Sequence, residues 1–210
     1  MKEYEKMETP FKRDDKTKKL NENEWRNETV EYLKNLQWNF TEKIDGTNIR
    51  VYWNGHKVNF YGRTDKAQIP ANLTNKLLEL FGGNVNEEMF EQKFGDKEVM
   101  LIGEGYGAKI QSGGNYIPDG VDFALFDVFI GGIYLSREAV KDIANYFNIN
   151  TVPDLGNGTL QEAIDFIKTK PKSKIGKADM EGIVARPIKE LYDKRKERII
   201  VKIKACDFNE

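Results

Sequence analysis

The sequence predicts an α+β protein whose sheets are mostly antiparallel and flanked by helices. Stretches with apolar residues every three or four positions alternate with stretches of period two, so helices and strands are interleaved along the chain. Between two such strands stands Asn54-Gly55, a strong hairpin signal because both central residues of a type I′ turn need a positive φ. A doubly wound nucleotide-binding sheet is not supported, because GEGYG at 103–107 runs into a Gly-rich loop and does not open a helix.

Composition limits the kinds of function that the chain can have. Its 210 residues are 39% hydrophobic, enough for a buried core, and 33 Lys and Arg balance 34 Asp and Glu. With a net charge of −1, any surface that attracts nucleic acid must be local. One cysteine and the lack of an apolar leader or membrane span predict an intracellular, cytoplasmic protein without disulfides. A single histidine disfavours His-based catalysis, so the chemistry falls to Lys, Arg and carboxylates.

The N-terminal part is predicted to be a basic lead-in followed by a helix. The first twenty residues are polar, and apolar residues then recur at near-helical intervals from Asn21 to Leu36. Residues 1–37 are therefore expected to pack on a domain that spans 38–210. The pattern of residues 48–53 predicts a half-buried strand, and residues 56–62 predict the strand that returns after the turn. His56 beside this turn is expected to be exposed.

The rest of the chain gives clear start and stop signals. A helical stripe over 73–81 ends at Gly82-Gly83, and a second short helix is expected near 89–94. Residues 98–105 and 121–130 predict apolar strands, followed by a turn at Gly131-Gly132 and a helix capped by Ser136. Thr159 and Glu162 have the spacing of a capping box at the start of a further helix. Two strands over 181–187 and 198–205 are expected to close the chain.

Six short strings carry a resemblance to a known family. They are TEKIDGTN (41–48), GRTD (62–65), GEG (103–105), FALFDV (123–128), EGIV (181–184) and VKIK (201–204). In order and approximate spacing these strings resemble motifs I, Ia, III, IIIa, IV and V of the covalent nucleotidyltransferases, the superfamily of ATP-dependent ligases and mRNA capping enzymes. Within it the chain is most similar to the RNA ligase family related to RNA ligase 2, particularly to short RNA ligase domain proteins of bacteriophages. The resemblance runs from Trp38 to Asp207 and implies a nucleotidyltransferase (ATP-grasp-like) fold.

The resemblance implies that Lys43 attacks the α-phosphate of ATP and forms a lysyl-AMP bond. A free lysine is neutral in only about one part in 2,500 at pH 7, so this amine needs activation, which neighbouring cations provide. Lys202 and Lys204 alternate with Val201 and Ile203, so both lysines are expected on one face of a strand. Without the other motifs, the same pattern would indicate a solvated edge strand.

The remaining site residues are assigned by the resemblance alone. Glu104 would hold the ribose hydroxyls, Phe123 would stack on adenine, and Glu181 would position Mg²⁺ or Mn²⁺. Each also has a structural explanation, such as core packing for Phe123 or backbone hydrogen bonds for Glu104. Val184 would cover the second face of the base, Glu42 would lie near its amino edge, and Arg63 and Asn48 would contact the phosphates. The complete predicted nucleotide-binding set is Glu42, Ile44, Asn48, Arg63, Glu104, Phe123, Val184, Lys202 and Lys204.

The expected partners are RNA ends with a 5′-phosphate and a 3′-hydroxyl, including a nicked duplex, and no membrane. Asn48 stands five residues after Lys43, where DNA ligases usually have arginine, which favours the RNA ligases. Arg50 lies on the same face and is a candidate RNA contact, or an ordinary surface arginine. A basic stretch supplies the other candidates for RNA contact, which are Lys168, Lys170, Lys172 and Lys174.

Alternative functions stay open from the sequence alone. A minimal DNA ligase or a GTP-using guanylyltransferase would use the same motifs, and a non-catalytic nucleotide- or RNA-binding module would keep the fold without the chemistry. The chain ends six residues after Lys204, so no OB-fold is expected in it.

Overall fold

The computed structural model describes residues 3–208, and it divides into two compact units. Tyr4 and Asp45–Val152 form one, here called the insert unit, while Glu5–Ile44 and the chain from Pro153 onward form the other, the terminal unit. The helices and strands in chain order are β1 (Phe11–Arg13), β2 (Leu20–Trp25), α1 (Glu28–Leu33), β3 (Trp38–Lys43), β4 (Thr47–Trp53), β5 (Val58–Tyr61), α2 (Ala71–Phe81), α3 (Asn84–Phe94), β6 (Val99–Gly107), β7 (Val121–Ile130), β8 (Ile133–Tyr134), α4 (Arg137–Tyr146), β9 (Asn150–Thr151), β10 (Asp154–Gly158), α5 (Leu160–Lys168), β11 (Gly182–Pro187) and β12 (Val201–Lys204).

The terminal unit contains a four-stranded antiparallel sheet in the order β10-β3-β11-β12. One face of this sheet is apolar, because alternate residues of β3, β11 and β12 pack against the buried side of α5. The β1–β2 hairpin and α1 add further side chains to the same core. These buried residues include Phe11, Val30, Leu33, Trp38, Phe40, Leu160, Ile164, Ile167, Ile183, Ala185, Val201 and Ile203.

The insert unit is built on a six-stranded sheet in which β5, β4, β6, β7 and β8 follow one another and β9 adds to β7. All pairings are antiparallel except that of β9 with β7. Leu73, Leu77 and Phe81 of α2 are completely buried against one face of this sheet. Helices α3 and α4 contribute to the same core. The opposite face of the sheet, here called the polar face, carries Asn48, Arg50 and Glu104.

The predicted α+β class with mostly antiparallel sheets is confirmed, as are most local signals. Gly55 in the β4–β5 turn has a φ of +90°, and His56 beside it is exposed. Asn54 lacks the positive φ of a type I′ turn, and its side chain instead accepts from the amides of residues 56 and 57. Ser136 caps α4 by accepting a hydrogen bond from the Ala139 amide. The capping box at the start of α5 is complete, with Thr159 and Glu162 bonded reciprocally. Within residues 3–208, every helix is too short or too polar to cross a membrane.

The helix predicted from Asn21 is wrong in its first half. Residues 20–25 form β2, which pairs with β1, and the helix α1 begins only after Asn27, whose side chain accepts from the Val30 amide. The ring of Trp25 packs on that of Phe11 at 4.5 Å, a tertiary contact that outweighs the weak helical spacing. The division predicted after residue 37 stays a prediction, and the hairpin, α1 and β3 all belong to the terminal unit.

Candidate active site

Lys43 ends β3, and the strand register determines which residues lie beside it. Gly182 of β11 is paired with Lys43 on one side and with Lys204 of β12 on the other. Residues paired across antiparallel strands present their side chains on the same face of a sheet. Lys43 and Lys204 therefore flank a position without a side chain, on the face opposite to the apolar core.

Glu181 connects these two lysines. Its Oε2 accepts a hydrogen bond from Lys43 Nζ at 2.6 Å, and its Oε1 lies 3.0 Å from Lys204 Nζ. The side chains of Lys43 and Glu181 are only 20% and 16% exposed, so this charge pair is partly shielded from water. Burial alone would lower the pKa of Lys204, but the hydrogen bond and charge of Glu181 outweigh it and raise that pKa. Glu181 therefore has a cationic partner for each of its two carboxylate oxygens.

Lys202 is the third cation on this face. It is paired with Val184 of β11, while Val201 and Ile203 point into the core, which confirms the predicted alternation. Burial, followed by the charges of Lys43 and Lys204, lowers the pKa of Lys202. The backbone amide of Lys202 donates to the Glu8 carbonyl, so part of the β12 edge is covered by the N-terminal segment.

Glu42 does not share the face of Lys43, contrary to its predicted place at the nucleotide. It is paired with Ile183, a core residue, and is only 1% exposed. Its carboxylate accepts hydrogen bonds from Ser173 Oγ at 2.5 Å and from the Lys174 amide at 2.8 Å. Successive residues of a strand alternate between faces, so Glu42 fixes the loop that follows α5 instead of facing a ligand beside Lys43.

In the insert unit, one row of residues crosses three strands on the polar face of the sheet. Asn48 of β4 is paired with Glu104 of β6, which is paired with Ala124 of β7. The Oδ1 atom of Asn48 is buried and has no hydrogen-bond partner among residues 3–208. An unpaired buried oxygen costs free energy unless a donor reaches it, so this row is suited to receive a polar ligand.

The predicted stacking role of Phe123 is contradicted by its position. Its ring is completely buried, packs edge-on against Phe81 of α2 at 5.5 Å, and fills the space left by Gly103. Phe123 is thus on the core face, whereas Glu104 is on the polar face.

Sequence reasoning missed Phe126 of the same strand as a candidate for contact with the base. A register shift in the pairing of β6 with β7 leaves Phe126 as the extra residue of a bulge, beside Asp127, which is paired with Ile102. Tyr4 contacts both residues, with its ring 5.3 Å from that of Phe126 and its hydroxyl donating to Asp127. Ala124, which is paired with Glu104, precedes Phe126 by two positions, so Phe126 lies on the same face as Glu104.

Arg50 is a structural residue and not the predicted contact to RNA. Its side chain is completely buried, and its Nε donates to the Gly62 carbonyl while its NH2 group binds Asp65 at 2.7 Å. These contacts hold the loop that carries Arg63, which is itself exposed. A buried guanidinium that is saturated with local partners cannot reach a polynucleotide.

The sequence pattern of the RNA ligase family matches residues 36–204, most of the chain. The chain belongs to the RNA ligase family. Its fold is similar to that of solved structures of the Naegleria gruberi RNA ligase. A mutant of that ligase with ATP and Mn is 20% identical, with a TM-score of 0.64 over 84% of this chain and 51% of that one. The ligase with PPi is 23% identical, with a TM-score of 0.62 over 84% of this chain and 51% of that one.

At these identities the solved structures establish the fold of this RNA ligase family member and nothing finer. The chain spans about half the length of the solved relatives that it matches. Comparison with curated proteins gave no match. The predicted special likeness to bacteriophage proteins stays a prediction.

Two lysines of the basic stretch that begins at the end of α5 have acidic partners. Lys168 pairs with Glu22 of β2 at 2.6 Å, and Lys172 pairs with Asp179 at 2.6 Å. Exposed pairs of this kind contribute little to stability, and their lysines can exchange the acidic partner for a phosphate. The predicted RNA contacts, including Lys170 and Lys174, therefore stay predictions.

Ile44, a predicted nucleotide contact, is only 2% exposed.

A divalent metal could be held by the carboxylate of Glu181, which lies between Lys43 and Lys204. Within residues 3–208, no group of three or more His, Cys, Asp or Glu side chains comes together to hold a metal. Mg²⁺ in phosphate-handling sites is commonly bound by one or two carboxylates together with waters and substrate phosphates. The donor set therefore fits a metal that Glu181 holds jointly with nucleotide phosphates.

Proposed function

We propose that this RNA ligase family member is an ATP-dependent RNA ligase that works through a lysyl-AMP intermediate. It would adenylate itself on Lys43, transfer the AMP to a 5′-phosphate end, and join that end to a 3′-hydroxyl. The observation that carries the proposal is the arrangement on one sheet face of Lys43, its partner Glu181 and the two cations Lys202 and Lys204.

The first step is nucleophilic substitution at phosphorus. Lys43 Nζ forms a bond to the α-phosphorus of ATP, the bond from that phosphorus to the bridging oxygen breaks, and pyrophosphate leaves. The amine can attack only after it has given up its extra proton, and the contact with Glu181 provides a carboxylate 2.6 Å away to hold or accept it. Lys202 and Lys204 would stabilise the charge on the phosphoryl oxygens.

When bound at Glu181, a divalent metal would neutralise phosphate charge and align the leaving pyrophosphate. Solved relatives with ATP and Mn, and with PPi, support this choice of cofactor and product. For the nucleoside, we assign Glu104 to the ribose hydroxyls and Phe126 to the base, with Asn48 and Arg63 at the phosphates. Asn48 in place of arginine supports RNA as the substrate.

Intact-mass spectrometry after incubation with ATP or GTP tests the proposal. We expect an added AMP on the native protein and none on Lys43→Ala, because an alanine methyl has no lone pair to attack phosphorus. Lys194→Ala, an exposed lysine of the terminal unit, is the matched control and should keep the adduct. A GMP adduct would indicate a guanylyltransferase, and no adduct with either nucleotide would indicate a binding module.

A further inference from the structure

A cavity of about 1050 Å³ lies in the terminal unit beside β12. Residues 6–9, the β1–β2 hairpin and Lys202 form its walls. Seven of the residues that line it are basic and four are acidic, so a chain with a net charge of −1 concentrates positive charge at this place. Most of this wall precedes residue 36, where the match to the RNA ligase family begins.

Three of the four acidic residues in the wall are already engaged. Glu24 pairs with Lys12, and Glu8 pairs with Arg26 at 2.9 Å. Asp14 caps the hairpin turn, with one oxygen accepting from the amides of residues 16 and 17. These hydrogen bonds are the main reason that the pKa of Asp14 is lowered. These acids therefore stabilise the hairpin, and other cations of the cavity stay outside any ion pair.

Arg13 pairs with Asp207, which is not part of the wall, and the four cations that remain are lysines. Lys6, Lys18, Lys19 and Lys202 line the cavity and form no ion pair with any residue in the described range 3–208. Lys6 is close enough to Lys202 for its charge to contribute to the lowered pKa of that residue, after burial and the charges of Lys43 and Lys204. Several unpaired cations around one cavity repel one another, and a polyanion would relieve that repulsion.

We propose that this cavity binds the phosphates of an RNA strand close to the end that is joined. Its volume is at the upper limit of pockets that enclose whole small molecules, about 300–1,000 Å³, so it has room for more than one nucleotide. Lys202 belongs both to the cavity wall and to the sheet face of Lys43, so a strand held by Lys6, Lys18 and Lys19 would continue toward the nucleophile. The inference rests on the proposed ligase function, but RNA binding can be measured apart from it.

The test is a triple variant, K6Q/K18Q/K19Q, compared with the matched control K189Q/K194Q/K196Q. Both variants remove three exposed lysines of the terminal unit, and each includes one with left-handed backbone, Lys18 (φ +59°) or Lys196 (φ +62°). The control residues do not line the cavity. Fluorescence anisotropy with a 5′-phosphorylated RNA oligonucleotide at several salt concentrations measures binding, and labelling with α-labelled ATP measures self-adenylation in the same preparations.

We expect the triple variant to bind RNA at least tenfold more weakly, while the control stays close to the native protein. The logarithm of the RNA-binding constant falls with the logarithm of the salt concentration, with a slope of about −0.7 per phosphate contact for a single strand. Removing three lysines that bind phosphates should therefore make this slope less negative by about 2. Self-adenylation should be unchanged.

Equal RNA binding by the variant and the control would overturn the inference. A parallel loss of self-adenylation would also overturn it, because the cavity would then serve the phosphates of ATP. If the native protein fails to adenylate, the ligase proposal fails, and the RNA measurement still decides the role of the cavity. Thermal unfolding establishes that each variant is folded, and K6Q and K18Q/K19Q, tested separately, should each show part of the effect.

Discussion

Single residues show most clearly where the sequence informs and where it misleads. Motif matching located Lys43, Glu181, Lys202 and Lys204, and the structure places all four on one sheet face. Glu42 is adjacent to Lys43 in sequence, but successive side chains of a strand point to opposite faces, so the Glu42 side chain lies on the core face. The alternation in β3 is by itself sufficient to predict that Glu42 and Lys43 point in opposite directions.

Alternation also separates Phe123 from Phe126, but both residues stand in a nearly continuous apolar run, so the strand pattern does not show which of them faces the core. That choice depends on which face of the sheet the helices cover, a tertiary contact that the strand pattern does not contain. The structure therefore changes the expected effect of substituting the two phenylalanines.

Phe123→Ala should act on stability and not specifically on the nucleotide. Removing a completely buried phenylalanine typically lowers the free energy of unfolding by about 3–5 kcal/mol. Phe126→Ala should cost less stability and should weaken ATP binding, by roughly 1–3 kcal/mol if the ring stacks on the base. Urea unfolding and ATP titration of both variants measure the two effects. The assignment fails if Phe123→Ala is as stable as the native protein and loses ATP affinity.

At the scale of elements, the sequence predicted the end of a helix or strand correctly where the residues that form the cap or turn belong to the same short segment. The caps at Ser136 and Thr159 and the turn at Gly55 use residues within four positions of one another, so the sequence contains the whole interaction. The β1–β2 hairpin depends on Phe11 meeting Trp25, and most residues of β2 are exposed, so no period marks it as a strand.

The loop of residues 62–65 is positioned by an element outside it. Arg50 of β4 holds both ends of this loop through Gly62 and Asp65, and Arg63 lies between them. We expect Arg50→Lys to keep the charge but to hold the loop at one point instead of two, because an ammonium group cannot donate along two fixed directions.

Hydrogen exchange of the amides in 62–67 measures that effect. Loss of about 1–2 kcal/mol of local stability corresponds to exchange that is about 5–30 times faster. Arg63→Lys, which changes an exposed residue of the same loop, should leave the exchange unchanged. Equal exchange in Arg50→Lys and the native protein would mean that the loop keeps its conformation without the Arg50 guanidinium.

At the scale of the whole molecule, the boundary of the family match is not the boundary of the folded protein. The match begins at residue 36, but Phe11, Val30 and Leu33 are buried in the core of the terminal unit. The carbonyl of Leu33 also accepts a hydrogen bond from Trp38 Nε1 at 3.0 Å. The segment before residue 36 is therefore part of the fold that presents Lys43, in addition to lining the cavity beside β12.

Deletion of residues 1–35 should consequently prevent stable folding of the terminal unit. Burial of each large apolar side chain contributes about 1.5–3 kcal/mol, so losing Phe11, Val30 and Leu33 removes about 5–9 kcal/mol. That is comparable with the whole stability of a typical domain, about 5–15 kcal/mol. Circular dichroism during urea unfolding should show no cooperative transition for this unit, whereas deletion of residues 1–3 should leave the transition intact. A cooperative transition of native midpoint in the longer deletion would show that the family-matched segment folds without its N-terminal neighbour.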